Sequence, residues 1–201
     1  MKVLVACEES QAVTIAFRKL GHEAYSCDIQ ECSGGHPEWH IQGDVLKNLD
    51  GWDMIIAHPP CTYMSNAGAC RMYPTAGNID TERLKKAMEA KEFFMAIMNA
   101  NCEKIAIENP RPLKVVGLPE CNQSIQPYQF GEPYSKLTML WLKGLPNLTH
   151  TNVLTEWKPY IASGTSRNKG KNIGKHFANG SKERSKTFHG IASAMAQQWG
   201  K

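Results

Sequence analysis

Apolar residues along this chain follow two rhythms. Val3-Leu4-Val5-Ala6 and Met54-Ile55-Ile56-Ala57 are short unbroken runs, a pattern that predicts buried strands. Ala24-Tyr25-Ser26-Cys27, Lys104-Ile105-Ala106-Ile107 and the stretch from Leu137 to Leu142 read the same way. Between the strands the period lengthens. Val13, Ala16, Phe17 and Leu20 share one face of a helix running from Ala12 to Leu20, where Gly21 supplies a stop. Asp80 is placed to cap a helix from Thr81 to about Asn99, with Leu84, Ala87, Met88, Phe94, Ile97 and Met98 on its apolar face. Helical spacing returns from Thr187 to Trp199 through Ile191 and Met195. Strands alternating with helices predict an α/β domain whose sheet is mostly parallel and flanked by helices. In such sheets ligands gather beyond the carboxyl ends of the strands. Cys7-Glu8, Asp28, Pro59-Pro60-Cys61 and Glu108 leave those ends, so one rim is expected to carry them all.

Length and composition narrow the class. The 201 residues suit a single domain, and no apolar run is long enough to span a membrane. Met1-Lys2-Val3-Leu4-Val5 is too short for a signal peptide, so a cytoplasmic protein without a membrane partner is expected. The seven cysteines are odd in number, which points to reduced thiols and turns attention to metal binding or nucleophilic chemistry. Cys27, Cys32, His36 and His40 have roughly zinc-like spacing. Cys27 and Asp28 belong to a strand end, however, and Gly34-Gly35 with Pro37 favours a plain turn, so no metal is expected.

Charge adds a direction. Residues 1–149 carry 14 Lys and Arg against 17 Asp and Glu, whereas residues 150–201 carry 9 against 2. A basic quarter on a mildly acidic body suits a polyanion met from one side, although such runs are also ordinary solvated faces. Residues 150–186 are basic and rich in Gly, Ser and Asn without periodicity, a long loop or small insert. Lys158, Arg167, Lys169, Lys171, Lys175, Lys182, Arg184 and Lys186 are its candidate phosphate contacts.

Two side chains carry the chemistry. Cys61 follows a strand and two prolines, so a stiff backbone holds its thiol at a loop mouth, as a nucleophile requires. The same residue also reads as a small buried hydrophobe. Glu108 leaves an apolar strand into the turn Asn109-Pro110-Arg111-Pro112, where partial burial is expected to raise its carboxyl pKa and suit it to proton donation. A thiol with a positioned carboxylic acid is what conjugate attack on a pyrimidine ring needs.

Pro59-Pro60-Cys61-Thr62-Tyr63-Met64-Ser65 resembles the Pro-Pro-Cys-x-x-x-Ser nucleophile motif of the DNA cytosine carbon-5 methyltransferases, and Ile107-Glu108-Asn109-Pro110 resembles their Glu-Asn-Val motif. Phe130-Gly131-Glu132-Pro133-Tyr134-Ser135-Lys136 is similar to a later Tyr-Gly-Val-Pro-Gln-x-Arg segment, and Thr187 to Trp199 to the closing helix. Asp28 stands where that family has an acid for the ribose of S-adenosylmethionine, and Gly43-Asp44-Val45 where its acid meets the adenine. The resemblance implies a Rossmann-like methyltransferase fold, with Cys61 and Glu108 catalytic. Ala6, Cys7, Glu8, Ser10, Asp28, Asp44 and Pro59 are then expected at S-adenosylmethionine. Pro60, Ser65, Asn109, Arg111, Lys136, Lys169, Lys171 and Lys175 are expected at nucleic acid, DNA first.

The resemblance has departures. The family's glycine-rich first motif reads Val5-Ala6-Cys7-Glu8-Glu9-Ser10-Gln11 here, and Lys136 and Thr138 stand in place of two arginines. The large target-recognition region is missing and only the basic insert lies in its place, a pattern similar to short members carried by bacteriophages and prophages in a bacterial host. No obligate protein partner is evident. Modification of RNA or free pyrimidine nucleotides, and a silent nucleic-acid-binding module, are the alternatives.

Overall fold

The computed structural model describes residues 1–160 and 185–201. The chain runs β1 (Lys2–Ala6), α1 (Ala12–Lys19), β2 (Glu23–Asp28), β3 (His40–Gln42), β4 (Met54–Ala57), α2 (Ala69–Met72), α3 (Thr81–Met98) and β5 (Lys104–Asn109). It continues through β6 (Gln123–Ile125), β7 (Tyr134–Ser135), β8 (Thr138–Lys143) and β9 (Lys158–Pro159) to the final helix α4 (His189–Trp199).

One seven-stranded sheet orders its strands β3-β2-β1-β4-β5-β8-β6. The first five are mutually parallel, and β8 runs antiparallel to both β5 and β6. Chain order therefore moves outward from β1 to β3, then returns to β4 on the other side of β1. This reversal is the switch point at which ligands enter open α/β sheets. The expected mostly parallel α/β sheet is present, with β8 reversed within it. Alternation along the buried strands sends Val3, Val5, Met54, Ile56 and Ala106 to the face covered by α1 and α4. Leu4, Ala6, Ile55, Ala57, Ile105 and Ile107 meet Phe94 and Ile97 of α3 on the other. Both faces are dry, which is why these strands read as unbroken apolar runs rather than alternating ones.

Helix ends follow local chemistry. The Asp80 carboxylate accepts the Arg83 N–H at 2.8 Å and opens α3. The Glu132 carboxylate accepts the Gly190 N–H at 3.1 Å in the first turn of α4. Glycine is needed there, because a Cβ on Gly190 would sit 2.0 Å from the Phe130 carbonyl oxygen. The short strands β3 and β6 carry too few apolar residues to announce themselves, and the sequence pattern misses them. Of the basic segment 150–186, β9 pairs with β7 as a separate two-stranded ribbon. Lys169, Lys171 and Lys175 lie outside the described residues, as do Arg167, Lys182 and Arg184. No described helix is long and apolar enough to cross a membrane.

Candidate active site

Strand register assembles the site. Ala6 pairs with Ala57, and Ala57 pairs with Ile107, so the residues that follow, Cys7, His58 and Glu108, leave three adjacent strands at one level. Ala6 likewise pairs with Cys27, which sets Asp28 beside Cys7.

The segment from His58 to Ser65 is tied down from several directions. The His58 N–H donates to the Ala6 carbonyl at 2.9 Å. The Asn109 side-chain amide donates to the Pro59 carbonyl at 2.9 Å, and the Arg83 guanidinium of α3 donates to the Thr62 carbonyl at 2.7 Å. The Cys61 carbonyl accepts the N–H groups of Met64 and Ser65 at 3.1 and 2.9 Å, closing a tight turn. Leu113 N–H bonds the Met64 carbonyl at 2.7 Å and Asn66 N–H the Arg111 carbonyl at 2.8 Å, so the turn is stitched to the chain after Glu108. Cys61 is half-buried, with exposed Pro60 before it and buried Ser65 after it. Two prolines remove conformations and these bonds remove more, so the backbone that carries the thiol is preorganised.

Glu108 does not stand alone. Its Oε2 accepts from His58 Nδ1 at 3.1 Å, with the two side chains 16% and 7% exposed. The sequence expectation of a raised Glu108 carboxyl is corrected here. Burial does push it up, but the His58 hydrogen bond and charge, with the Lys136 ammonium, hold it below the usual carboxylate range. Burial likewise pulls the His58 imidazole down, and the carboxylates of Glu108 and Glu8 outweigh that and raise it, against the opposing charge of Lys136. The Lys136 ammonium therefore acts on both members of the pair. His58 was missed by motif reading. Its signal is its place, a polar residue directly after a buried strand whose neighbour ends in a carboxylate.

On the β1 side the chain turns without glycine. Cys7 and Gln11 adopt φ of 58° and 59°, the left-handed region that residues with a Cβ seldom enter. The Glu8 carboxylate accepts Val13 N–H at 2.7 Å, Thr14 N–H at 3.2 Å and the Thr14 hydroxyl at 2.8 Å, filling the amino end of α1. Burial raises the Glu8 carboxyl, and His58 and these donors pull it back only in part. Two residues expected at ligands are thus held by the protein itself: Glu8 by α1, and the Asn109 amide nitrogen by Pro59. Ser10 is half-buried in the same turn.

Beyond it lies an acidic edge. Burial, then the charges of Asp28, Cys27 and Asp44, push the Cys7 thiol up to about 12. Cys27 is pushed up to about 11 by burial, Asp28 and Asp44. Neither thiol can serve as a thiolate at neutral pH, and both report Asp28 and Asp44 as close neighbours. Each acid keeps one oxygen in its own loop, Asp28 accepting Gln30 N–H at 2.9 Å and Asp44 accepting Leu46 N–H at 3.0 Å. The zinc-like set is also engaged elsewhere. His40 Nδ1 meets the Ser26 hydroxyl at 2.8 Å and its Nε2 the Gln30 carbonyl at 2.9 Å. Among the described residues no group of three or more metal-ligating side chains is gathered.

The rim can hold a polar ligand at β1, β2 and β3 while presenting a thiol, a carboxylate and two cationic groups at β4 and β5. Against known proteins, no family model matches the chain and no curated protein matches its sequence.

Proposed function

We propose that this chain methylates carbon 5 of cytosine in DNA, using S-adenosylmethionine and a covalent adduct on Cys61. The observation that carries the reading is that the loop bearing Cys61 is hydrogen-bonded, through His58, Pro59 and Met64, to the segment from Glu108 to Leu113, beside the switch point. The sheet, with its single reversed strand β8, is compatible with the methyltransferase fold that the motifs suggest.

The residues present fit the cofactor. Asp28 and Asp44 offer carboxylate oxygens to ribose hydroxyls and an adenine amino group. Glu8 fills the amino end of α1, where dinucleotide-binding folds keep bare N–H groups for a pyrophosphate. Such an edge repels phosphate and suits a ligand with cationic groups and no phosphate. When bound, S-adenosylmethionine supplies an electrophilic methyl group on a sulfonium. Cys61 adds its thiolate to carbon 6 of the ring, Glu108 engages N3 and the amino group, and carbon 5 becomes nucleophilic. Loss of the carbon-5 proton and of Cys61 restores aromaticity. Lys136 supplies positive charge beside the ring, and the basic segment 150–186 is positioned in sequence to hold phosphates while the base leaves its stack.

DNA carrying 5-fluorocytosine tests this, because fluorine at carbon 5 cannot leave as a proton does. With cofactor present, the wild type is expected to form a covalent complex stable to denaturation, and Cys61→Ser none, since a serine hydroxyl is a far weaker nucleophile. Methyl transfer that survives Cys61→Ser refutes the mechanism. Trapping of fluorinated RNA or nucleotides in place of DNA moves the substrate and keeps the chemistry.

A further inference from the structure

We propose that His58 is the positioning residue of this site, orienting Glu108 and holding the proton that Glu108 passes to the pyrimidine ring. The proposal rests on the methyl-transfer reading. Its basis is geometric. His58 and Glu108 follow paired residues of β4 and β5, and alternation puts both on the face covered by α1 and α4. At 3.1 Å from a carboxylate oxygen, Nδ1 must carry the hydrogen, which fixes the Glu108 rotamer. The other ring nitrogen, Nε2, is buried without a hydrogen-bond partner among the described residues. The charged groups acting on the ring are Glu108 of β5, Glu8 after β1 and Lys136 before β8.

Chemistry gives the pair its purpose. Cytosine N3 bears a lone pair and needs a hydrogen, but a lone carboxylate at neutral pH offers acceptors only. An imidazolium bonded to that carboxylate brings a proton within one transfer. When the Cys61 sulfur bonds to carbon 6, the carbon 5–carbon 6 π bond breaks and its electron pair is delocalised toward N3. The Nδ1 proton passes to the Glu108 carboxylate and from the carboxyl group so formed to N3, leaving carboxylate and neutral imidazole. Once carbon 5 is methylated, its hydrogen leaves as a proton to solvent and that bond pair re-forms the carbon 5–carbon 6 π bond. Cys61 departs with the carbon 6–sulfur pair, and the N3 proton returns through Glu108 to His58. No oxidant or further reactant enters.

The test compares single-turnover trapping of 5-fluorocytosine DNA between pH 4.5 and 9 for the wild type, His58→Asn and His58→Leu. The Cys61 limb is common to all three. In the wild type the proton is retained up to the imidazole's raised value, so trapping falls only above about 6.5, the ordinary histidine value. The amide introduced by His58→Asn keeps the donor to Oε2 but carries no transferable proton. Glu108 is then left with burial raising its carboxyl, so the alkaline limb moves down by less than the roughly two units between ordinary histidine and glutamate values. At pH 7 this is a loss of less than roughly 100-fold, at tenfold per unit. His58→Leu loses the orientation as well and falls further. Nitrogen NMR of the His58 ring supplies a readout independent of turnover, with its titration moving to lower pH in Glu108→Gln. An unmoved alkaline limb in His58→Asn, or a ring titration unmoved by Glu108→Gln, overturns the role of His58 while wild-type trapping stands. A wild type that traps no nucleic acid overturns the methyl-transfer reading and this role with it.

Discussion

The two loops that meet at the switch point reach rigidity by opposite routes. The nucleophile loop after β4 uses ordinary backbone angles, two prolines and bonds from elsewhere: the Asn109 amide, the Arg83 guanidinium and the backbone of Leu113. The turn after β1 uses two left-handed residues that are not glycine and satisfies itself largely with its own side chains. Gln11 Nε2 donates to the His36 carbonyl at 2.8 Å while its Oε1 accepts His36 N–H at 3.1 Å. Ser33 bonds Glu9 through both backbone and hydroxyl, and Gly34 packs so closely that a Cβ would lie 2.5 Å from the Ser10 carbonyl. A loop held from outside can be loosened by one distant substitution. A loop whose own side chains reach across to the segment 33–36 is loosened first by substitutions within itself, and it stores strain.

The comparison breaks most visibly at Asn109. Asn109→Leu removes the donor to the Pro59 carbonyl and leaves that oxygen to find water or go unpaired. Displacing a reacting atom by about 1 Å can cost on the order of 100-fold in rate, and a loss of that size in trapping at saturating cofactor is expected. Cofactor affinity by calorimetry should be unchanged, because the turn after β1 has no bond to Asn109. Equal losses in both measurements would mean that the two loops are one mechanical unit.

Asp28 gives the converse, smaller effect. Asp28→Ala is expected to weaken S-adenosylmethionine binding by about 1–3 kcal/mol, the range for a lost charge-assisted hydrogen bond. Trapping at saturating cofactor should stay within a few-fold of the wild type. Unchanged affinity in Asp28→Ala would remove the acidic edge from the cofactor site.

How much of this was legible beforehand differs between the loops. Apolar runs located β1, β4 and β5, and prolines after β4 with a carboxylate after β5 marked the rim, because buried parallel strands advertise both their length and their ends. Asp80 was readable as a cap since its effect is local. The His58–Glu108 pair was not readable. It depends on the register of β4 against β5 across some fifty positions of chain, and apolar pattern carries no register for strands buried on both faces. The Glu108 expectation failed for the same reason, since burial was foreseen and its partner was not. Reversal of β8 was equally hidden, because a short apolar strand reads alike in either direction.

The smallest effect tests the strain itself. Cys7 and Gln11 share nearly one φ, 58° and 59°, yet their side chains differ in what they hold. A left-handed residue with a Cβ costs about 1–2 kcal/mol relative to glycine, so Gly at either site relieves strain of that order. Against it, glycine frees the unfolded chain by about 0.4–1 kcal/mol. For Cys7→Gly those two nearly cancel once the loss of a small buried thiol is counted, and a stability change within about 1 kcal/mol is expected by urea denaturation. For Gln11→Gly the same relief is opposed by the loss of bonds to Ser26 and to both backbone groups of His36. At about 1 kcal/mol for each net hydrogen bond, that variant should lose about 2 kcal/mol and loosen the segment over Gly34. The ordering is the point of the measurement, because strain alone makes the two substitutions equivalent. Equal stability changes at both positions would show that the turn is held by backbone geometry rather than by the Gln11 side chain, and the contrast drawn between the two loops would fail there.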